Sequence, residues 1–237
     1  MHYQHAEIEG RYRGLTDSPV AVDYAGRSFD DFDLREFLTA CLGRMRFAGR
    51  EPRVLEYGTG TGPGACFLAA RGFRVTAIDI SPTAIGLARR YAAERGLAID
   101  YAVANICDYG GQSQAFDLVI DSFCLHRIIA DEARQQAMRN VRRLLKPSGY
   151  YLLGSVILRP GRDYGAERLD PATGVVYSPL ASGAANFHDA VQQGGRWWYA
   201  RYRLLSAARL REELEAAGFI VREQPGEGGR ILCVPAG

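Results

Sequence analysis

The sequence predicts an α/β fold of the doubly wound type, a largely parallel sheet with helices on both faces. Two observations predict it. From Arg53 onward, short apolar runs of β character alternate with helical stretches. The first run stops at a cluster of glycines, residues 58, 60, 62 and 64, before a helical stretch begins. Strands joined by helical crossovers lie parallel, and ligands of such sheets bind beyond the carboxyl ends of the strands. Sites are therefore expected just after each run.

Residues 1–50 precede the series. "MHYQHAEIEGRYRG" has no apolar h-region, and no later stretch offers the roughly twenty consecutive apolar residues of a membrane span, so the chain is expected in the cytoplasm. In "DDFDLREFLTACLGRMRF", Phe32, Phe37, Leu38, Cys41 and Leu42 recur at helical spacing and predict an amphipathic helix packed on the main domain. Residues 1–50 thus form a helical cap or lid, and residues 51–237 the main domain.

In that domain "RVLEY" is the first strand, "CFLAARG" lies on the first helix, and "RVTAID" is the second strand, ending at Asp79. Ser81 and Pro82 open the next helix as N-cap and first-turn proline, and Gly96 stops it. "AIDYAVAN" and "FDLVIDSF" are strands, "ADEARQQAMRNVRRLL" a helix, "KPSG" a break, and "YYLLGSVIL" a strand. Residues 159–203 form a long excursion rich in Gly, Pro, Tyr and Trp, an insertion expected over the strand ends. A last helix, "SAARLREELEAAG", is capped by Ser206 and stopped by Gly218.

With 237 residues and 24% charged residues, the chain suits one folded domain with embellishments. A net charge of +2 argues against a dedicated nucleic-acid binder, so the partner is expected to be a small molecule. Cys41, Cys66, Cys107, Cys124 and Cys233 form no C-x-x-C pair, which fits reduced thiols and offers no zinc site; no metal is expected.

Glycines at a strand-to-helix turn let backbone approach a ligand closely. Gly60, Gly62 and Ala65 fit the dinucleotide pattern G-x-G-x-x-A only loosely. Glu56, two residues before Gly58, would face a pyrophosphate with like charge, so a cationic, phosphate-free ligand fits better.

"VLEYGTGTGPG", Asp79-Ile80, "ANICDY", "FDLVIDSFCLHRI", "LLKPSGYYLLGSV" and "LREELEAAGFIV", in that order across about residues 50–235, resemble the motif series of the class I S-adenosylmethionine-dependent methyltransferases. The resemblance implies a seven-stranded sheet of order 3-2-1-4-5-7-6 with the last strand antiparallel, and S-adenosylmethionine as cofactor. It implies that Glu56 holds the cofactor's ammonium end, with Gly58, Gly60 and Gly62 against its methionine and ribose. Asp79 would accept the ribose hydroxyls beside Ile80, and Asn105 and Ile106 would contact the adenine. Asp121, Ser122 and Phe123 would line the methionine moiety or the substrate mouth, while Asp117 does structural work at the start of its strand.

The reaction so implied is methyl transfer to a small molecule of specialised metabolism, by in-line displacement in which positioning does most of the work. His126 is the best placed titratable group for a base; its bland reading is a packing residue at a helix start. His188 and Tyr177, in the excursion, are further candidates. "GRWWYARYR" reads as a strand with Trp198, Ala200, Tyr202 and Leu204 on one face, and Trp197, Tyr199, Arg201 and Arg203 on the other, where Arg201 or Arg203 would pair with a carboxylate substrate.

The same cage serves an alternative known among relatives, attack of the cofactor's own amine to give azetidine-2-carboxylate and methylthioadenosine. Tyr177, Asn140 or Ser206 would then curl the methionine chain. A non-catalytic binding module is a further reading, opposed by the intact Glu56, glycine and Asp79 set. A nicotinamide oxidoreductase is opposed by Glu56.

Overall fold

The computed structural model describes residues 3–180, 187 and 189–237. Helices α1 (Tyr3–Arg13) and α2 (Arg35–Leu42) precede the main domain. There β1 (Arg53–Tyr57), α3 (Pro63–Ala69), β2 (Arg74–Asp79), α4 (Pro82–Glu94), β3 (Asp100–Val103) and β4 (Phe116–Ser122) follow in alternation. A single 3-10 turn, Leu125–Arg127, leads to α5 (Asp131–Leu144) and β5 (Leu145–Gly154). The insertion carries β6 (Arg168–Leu169), β7 (Val175–Pro179), β8 (Ala190–Gln193) and β9 (Arg196–Arg203), and α6 (Ala207–Ala216), β10 (Phe219–Glu223) and β11 (Arg230–Pro235) close the chain.

The sheet grows outward from β1, which pairs in parallel with β2 and β4. The full order is β10-β11-β5-β4-β1-β2-β3, with β11 antiparallel to both neighbours. This is the expected 3-2-1-4-5-7-6 arrangement, β10 and β11 being its sixth and seventh strands. Alternation along the central strands feeds two cores. Val54 and Leu118 pack with Leu38, Ile85 and Tyr91 beneath α2 and α4, and Leu55 and Val119 pack with Val141, Leu144 and Leu214 beneath α5 and α6.

Caps mark the boundaries. Ser81 Oγ accepts from the Ala84 N–H at 3.0 Å, and Ser206 Oγ from the Arg209 N–H at 3.2 Å. Asp117 accepts from the Arg53 N–H and from Lys146 Nζ, tying together the starts of three strands.

Three features depart from the sequence reading. α1 has no apolar stripe, and tertiary partners hold it: Glu9 accepts from Ser81 Oγ and Thr83 Oγ1, while Tyr12 is buried. "KPSG" interrupts the pairing but not the strand: Phe116 pairs with Leu145 and Leu118 with Tyr150, so these four residues bulge out inside β5. The excursion is a second antiparallel sheet, β6-β7-β9-β8. Val176 pairs with Tyr202 and Tyr177 with Ala200, so Arg201 is a bulge residue and the strict alternation expected along β9 breaks there.

Candidate active site

β1 and β2 stop side by side, Tyr57 next to Ile78, and their ends carry Glu56 and Asp79. Between β1 and α3 the chain passes through Gly58, Gly60 and Gly62 at φ of 65°, 56° and 86°. Space as well as conformation demands glycine. A Cβ would come within 2.5 Å of Cys124 Cβ at Gly58 and 2.8 Å of Tyr12 Oη at Gly60, and it would crowd Tyr101 Oη at Gly62.

Both carboxylates are buried. Glu56 accepts from Thr59 Oγ1 at 2.6 Å, from Ser122 Oγ and from the Ala65 N–H in the first turn of α3. Asp79 accepts from the Gly60 and Ser81 N–H groups, each at 2.9 Å, and from that of Ile80. Burial pushes both carboxyls above their usual range, against these donors. Among the described residues neither pairs with a basic side chain. The cradle therefore suits a ligand that brings a positive charge and hydroxyl donors, and opposes a pyrophosphate.

Beyond β2, Ile80 is exposed. After β3, Asn105 is exposed and accepts from the Cys107 N–H at 3.0 Å, while Ile106 is buried in the core. After β4, Phe123 takes a left-handed φ of 59° and packs its ring against Gly154.

Asp121, expected at the methionine moiety or the substrate mouth, is fully buried. Its carboxylate accepts from the Cys124 and Leu125 N–H groups and from Tyr57 Oη, bracing the turn that carries Phe123 and His126. Burial pushes it up to about 7. A carboxyl raised on folding contributes stability that is complete below its unfolded value near about 4 and is lost as pH rises through about 7. Buried His126, lowered on folding, has the opposite sign. The stability difference between wild type and Asp121→Asn, measured by urea unfolding, should fall by up to about 1.4 kcal/mol per pH unit from pH ~4 to ~7. A flat difference would refute the shift.

Facing the strand ends, α1 and the insertion close over the turn that follows β4. His126 stacks on Tyr202 at 5.6 Å and meets the Phe123 edge. It is buried, its Nδ1 has no hydrogen-bond partner among the described residues, and burial lowers it to about 3, so the imidazole is neutral at ordinary pH. Arg134 donates to the carbonyls of Leu125 and Ile128 and pairs with Glu213, gripping that turn from below. Gln4 Nε2 donates to the carbonyls of both Arg127 and Arg201, and Tyr24 Oη accepts from Arg127.

The remaining candidates lie elsewhere. Asn140 donates to the carbonyls of Ile106 and Tyr109 and accepts from Arg143, so its amide buttresses the loop after β3 from below. Ser206 is occupied as the cap of α6. Tyr177 shares a face with Ala200 and Arg168, whereas the next residue, Ser178, donates to Glu167, which Arg201 binds beside Glu7 of α1; Tyr177 therefore faces away from α1. His188 lies outside the described residues. Tyr12, Glu7, Glu9 and Arg127 were not singled out from the sequence. For the first three the signal was an acidic, aromatic stretch in an otherwise polar terminus, and it acquires meaning only through partners distant in sequence.

Residues 54–149, from the first strand through the break before "YYLLG", match the family described as "Methyltransferase domain". Over those residues the chain is similar to a methyltransferase domain. The strand order above is the one expected of the class I S-adenosylmethionine-dependent type. The chain is 37% identical over 101 residues to a 2-heptyl-1-hydroxyquinolin-4(1H)-one methyltransferase of Mycobacteroides abscessus, covering 42% of this chain and 44% of that protein. It is 34% identical over 147 residues to a ubiquinone biosynthesis O-methyltransferase of Methylocella silvestris, covering 61% and 50%. The matches thus span about half the length of these curated relatives. In fold it is similar to the 1,6-didemethyltoxoflavin-N1-methyltransferase of Burkholderia thailandensis, solved with 1,6-didemethyltoxoflavin and S-adenosylhomocysteine, at TM-score 0.62 and 20% identity over 98% of this chain and 87% of that one. The residues of the cradle fit S-adenosylmethionine, a sulfonium with an ammonium group and a ribose diol. Two buried carboxylates without cations meet a glycine path that a Cβ would obstruct.

Proposed function

We propose that the chain is an S-adenosylmethionine-dependent methyltransferase that acts on a small organic molecule. The observation that carries this reading is the pair of buried, cation-free carboxylates, Glu56 and Asp79, on either side of the left-handed glycine turn. The printed names of the curated relatives, a hydroxyquinolinone methyltransferase and a ubiquinone biosynthesis O-methyltransferase, support a small acceptor. No helix among the described residues is long and apolar enough to cross a membrane. A cytoplasmic location and a place in specialised metabolism belong to the proposal.

In this reading Glu56 holds the ammonium end and Asp79 the ribose hydroxyls, with Gly58, Gly60 and Gly62 giving backbone contact and Asn105 and Ile106 the adenine site. When bound, S-adenosylmethionine supplies an electrophilic methyl carbon. α1 and residues 159–203 act as a two-sided lid that excludes water and fixes the acceptor's approach. Neutral His126 accepts a hydrogen bond from the acceptor's O–H or N–H and takes the proton as the new bond forms. So weakly basic an imidazole works at the lower end of general-base contributions, so His126→Phe should lower kcat/KM about 10²-fold. In an Asp121→Asn background, which removes the carboxyl that titrates near about 7, the pH–rate profile should lack an inflection between about pH 5 and 8, and a step near about 6.5 would refute the neutral buried histidine.

The test of the function is mass spectrometry of the products formed from S-adenosylmethionine and candidate acceptors, beside Glu56→Ala and Asp79→Ala controls. A methylated acceptor with S-adenosylhomocysteine supports the reading. Methylthioadenosine formed from the cofactor alone would replace it with cyclisation.

A further inference from the structure

Glu7 of α1 reaches into the mouth and spans two guanidinium groups. Its Oε2 lies 3.5 Å from Arg127 Nη1 and its Oε1 lies 3.4 Å from Arg201 Nη2. Charge-assisted hydrogen bonds of this type close to about 2.7–2.9 Å. Other arginines here meet that standard, since Arg201 pairs with Glu167 at 2.8 Å and Arg134 with Glu213 at 2.6 Å. Glu7 is therefore a loose occupant of a seat between two cations.

The surroundings add unsatisfied polarity. Arg201 Nε is buried and has no hydrogen-bond partner among the described residues. Arg127 and Arg201 both lie over the Tyr202 ring, at 4.5 and 4.9 Å from its centroid. On that same ring stacks His126, only 4% exposed, with its Nδ1 unpartnered among the described residues. Two cations, a free guanidinium N–H and a free ring nitrogen thus converge around one aromatic plane beside the strand ends.

We infer that this mouth takes a small, flat organic anion whose acidic group seats between Arg127 and Arg201, in the place that the Glu7 carboxylate fills in the closed chain. The inference rests on the methyltransferase reading for making that anion the acceptor. A carboxylate fits on the evidence of Glu7 itself, whose two oxygens already face the two guanidiniums. The bulge in β9 creates the seat, for it turns both Arg201 and Tyr202 toward α1 and the turn after β4. When the acid binds, Glu7 leaves for the rim. It needs only a side-chain rotation, because Gln4 and Glu9 hold α1 in place.

The test is calorimetric titration of the full chain, first with S-adenosylhomocysteine and then, in its presence, with benzoate, 4-hydroxybenzoate, anthranilate and quinaldate, each beside its carboxamide, and with phenyl phosphate. At least one acid should bind about tenfold or more tighter than its amide. Glu7→Gln, which removes the competing carboxylate, should tighten acid binding about tenfold and leave the amides unchanged. Arg201→Met and Arg127→Met should each erase the preference for acid over amide, with melting curves confirming the fold. Arg201→Lys should retain part of it. Tighter binding of phenyl phosphate than of every carboxylate would support the seat and assign it to a phosphate. The inference is overturned if no anion outcompetes its neutral analogue in wild type and Glu7→Gln alike, or if Glu7→Gln weakens the acids. A failure of S-adenosylhomocysteine to bind would sink the methyltransferase reading, while the comparison of acid with amide would still decide the seat.

Discussion

Asp79→Asn is expected to weaken S-adenosylhomocysteine binding by about 10²–10³-fold, since a hydrogen bond to a charged acceptor is worth about 1.5–3 kcal/mol and the ribose offers two. The substitution preserves shape but halves the accepting capacity, and the carboxylate already serves the N–H groups of Gly60, Ile80 and Ser81. One of these buried donors then goes unmet, which adds about 1–3 kcal/mol of lost stability. Calorimetry with S-adenosylhomocysteine and a melting curve separate the two effects. Wild-type affinity in the variant would show that Asp79 only braces the loop.

Gly58→Ala should cost about 2–5 kcal/mol of stability. A left-handed φ of 65° accounts for about 1–2 kcal/mol in a residue with a Cβ, and a methyl 2.5 Å from Cys124 Cβ adds about 1–3 kcal/mol of overpacking. At about 2–4 °C per kcal/mol the melting temperature falls by roughly 4–20 °C. Gly72→Ala is the matched control: its φ of 84° is equally left-handed, but nothing lies within 4 Å of the added methyl, so only the backbone cost applies. Equal melting losses in the two variants would remove the packing argument. The displaced Cys124 also belongs to the turn that presents His126, so Gly58→Ala should lower activity in whatever fraction remains folded.

What could be read ahead of the structure was whatever depends on neighbours in sequence. The alternation after Arg53, the caps at Ser81 and Ser206, and the placement of Glu56 and Asp79 at strand ends each follow from a local pattern with one physical solution. The rest needed partners far along the chain. α1 has no apolar face to betray it, and it becomes a helix over the site through Gln4, Glu9 and Tyr12. The single extra residue at Arg201 flips Tyr202 across the sheet, which no periodicity within β9 foretells. Asp121 and Asn140 carry residue types typical of sites, but whether such a group faces a ligand or a buried backbone amide is decided by packing depth, and both were taken up by backbone groups.

α1 also has a kinetic consequence. Its carboxyl half, through Glu9 and Tyr12, lies across the end of β2 and the start of α4, and its amino half, through Gln4 and Glu7, lies across the turn after β4 and across β9. One rigid body therefore bolts two doors. Spent cofactor and finished product are expected to depart through a shared opening event, so stopped-flow release of S-adenosylhomocysteine and of the methylated acceptor should show the same limiting rate. Gln4→Ala, which unlatches one end of the helix, should raise both together, and separate rates for the two would mean that the halves of α1 move independently.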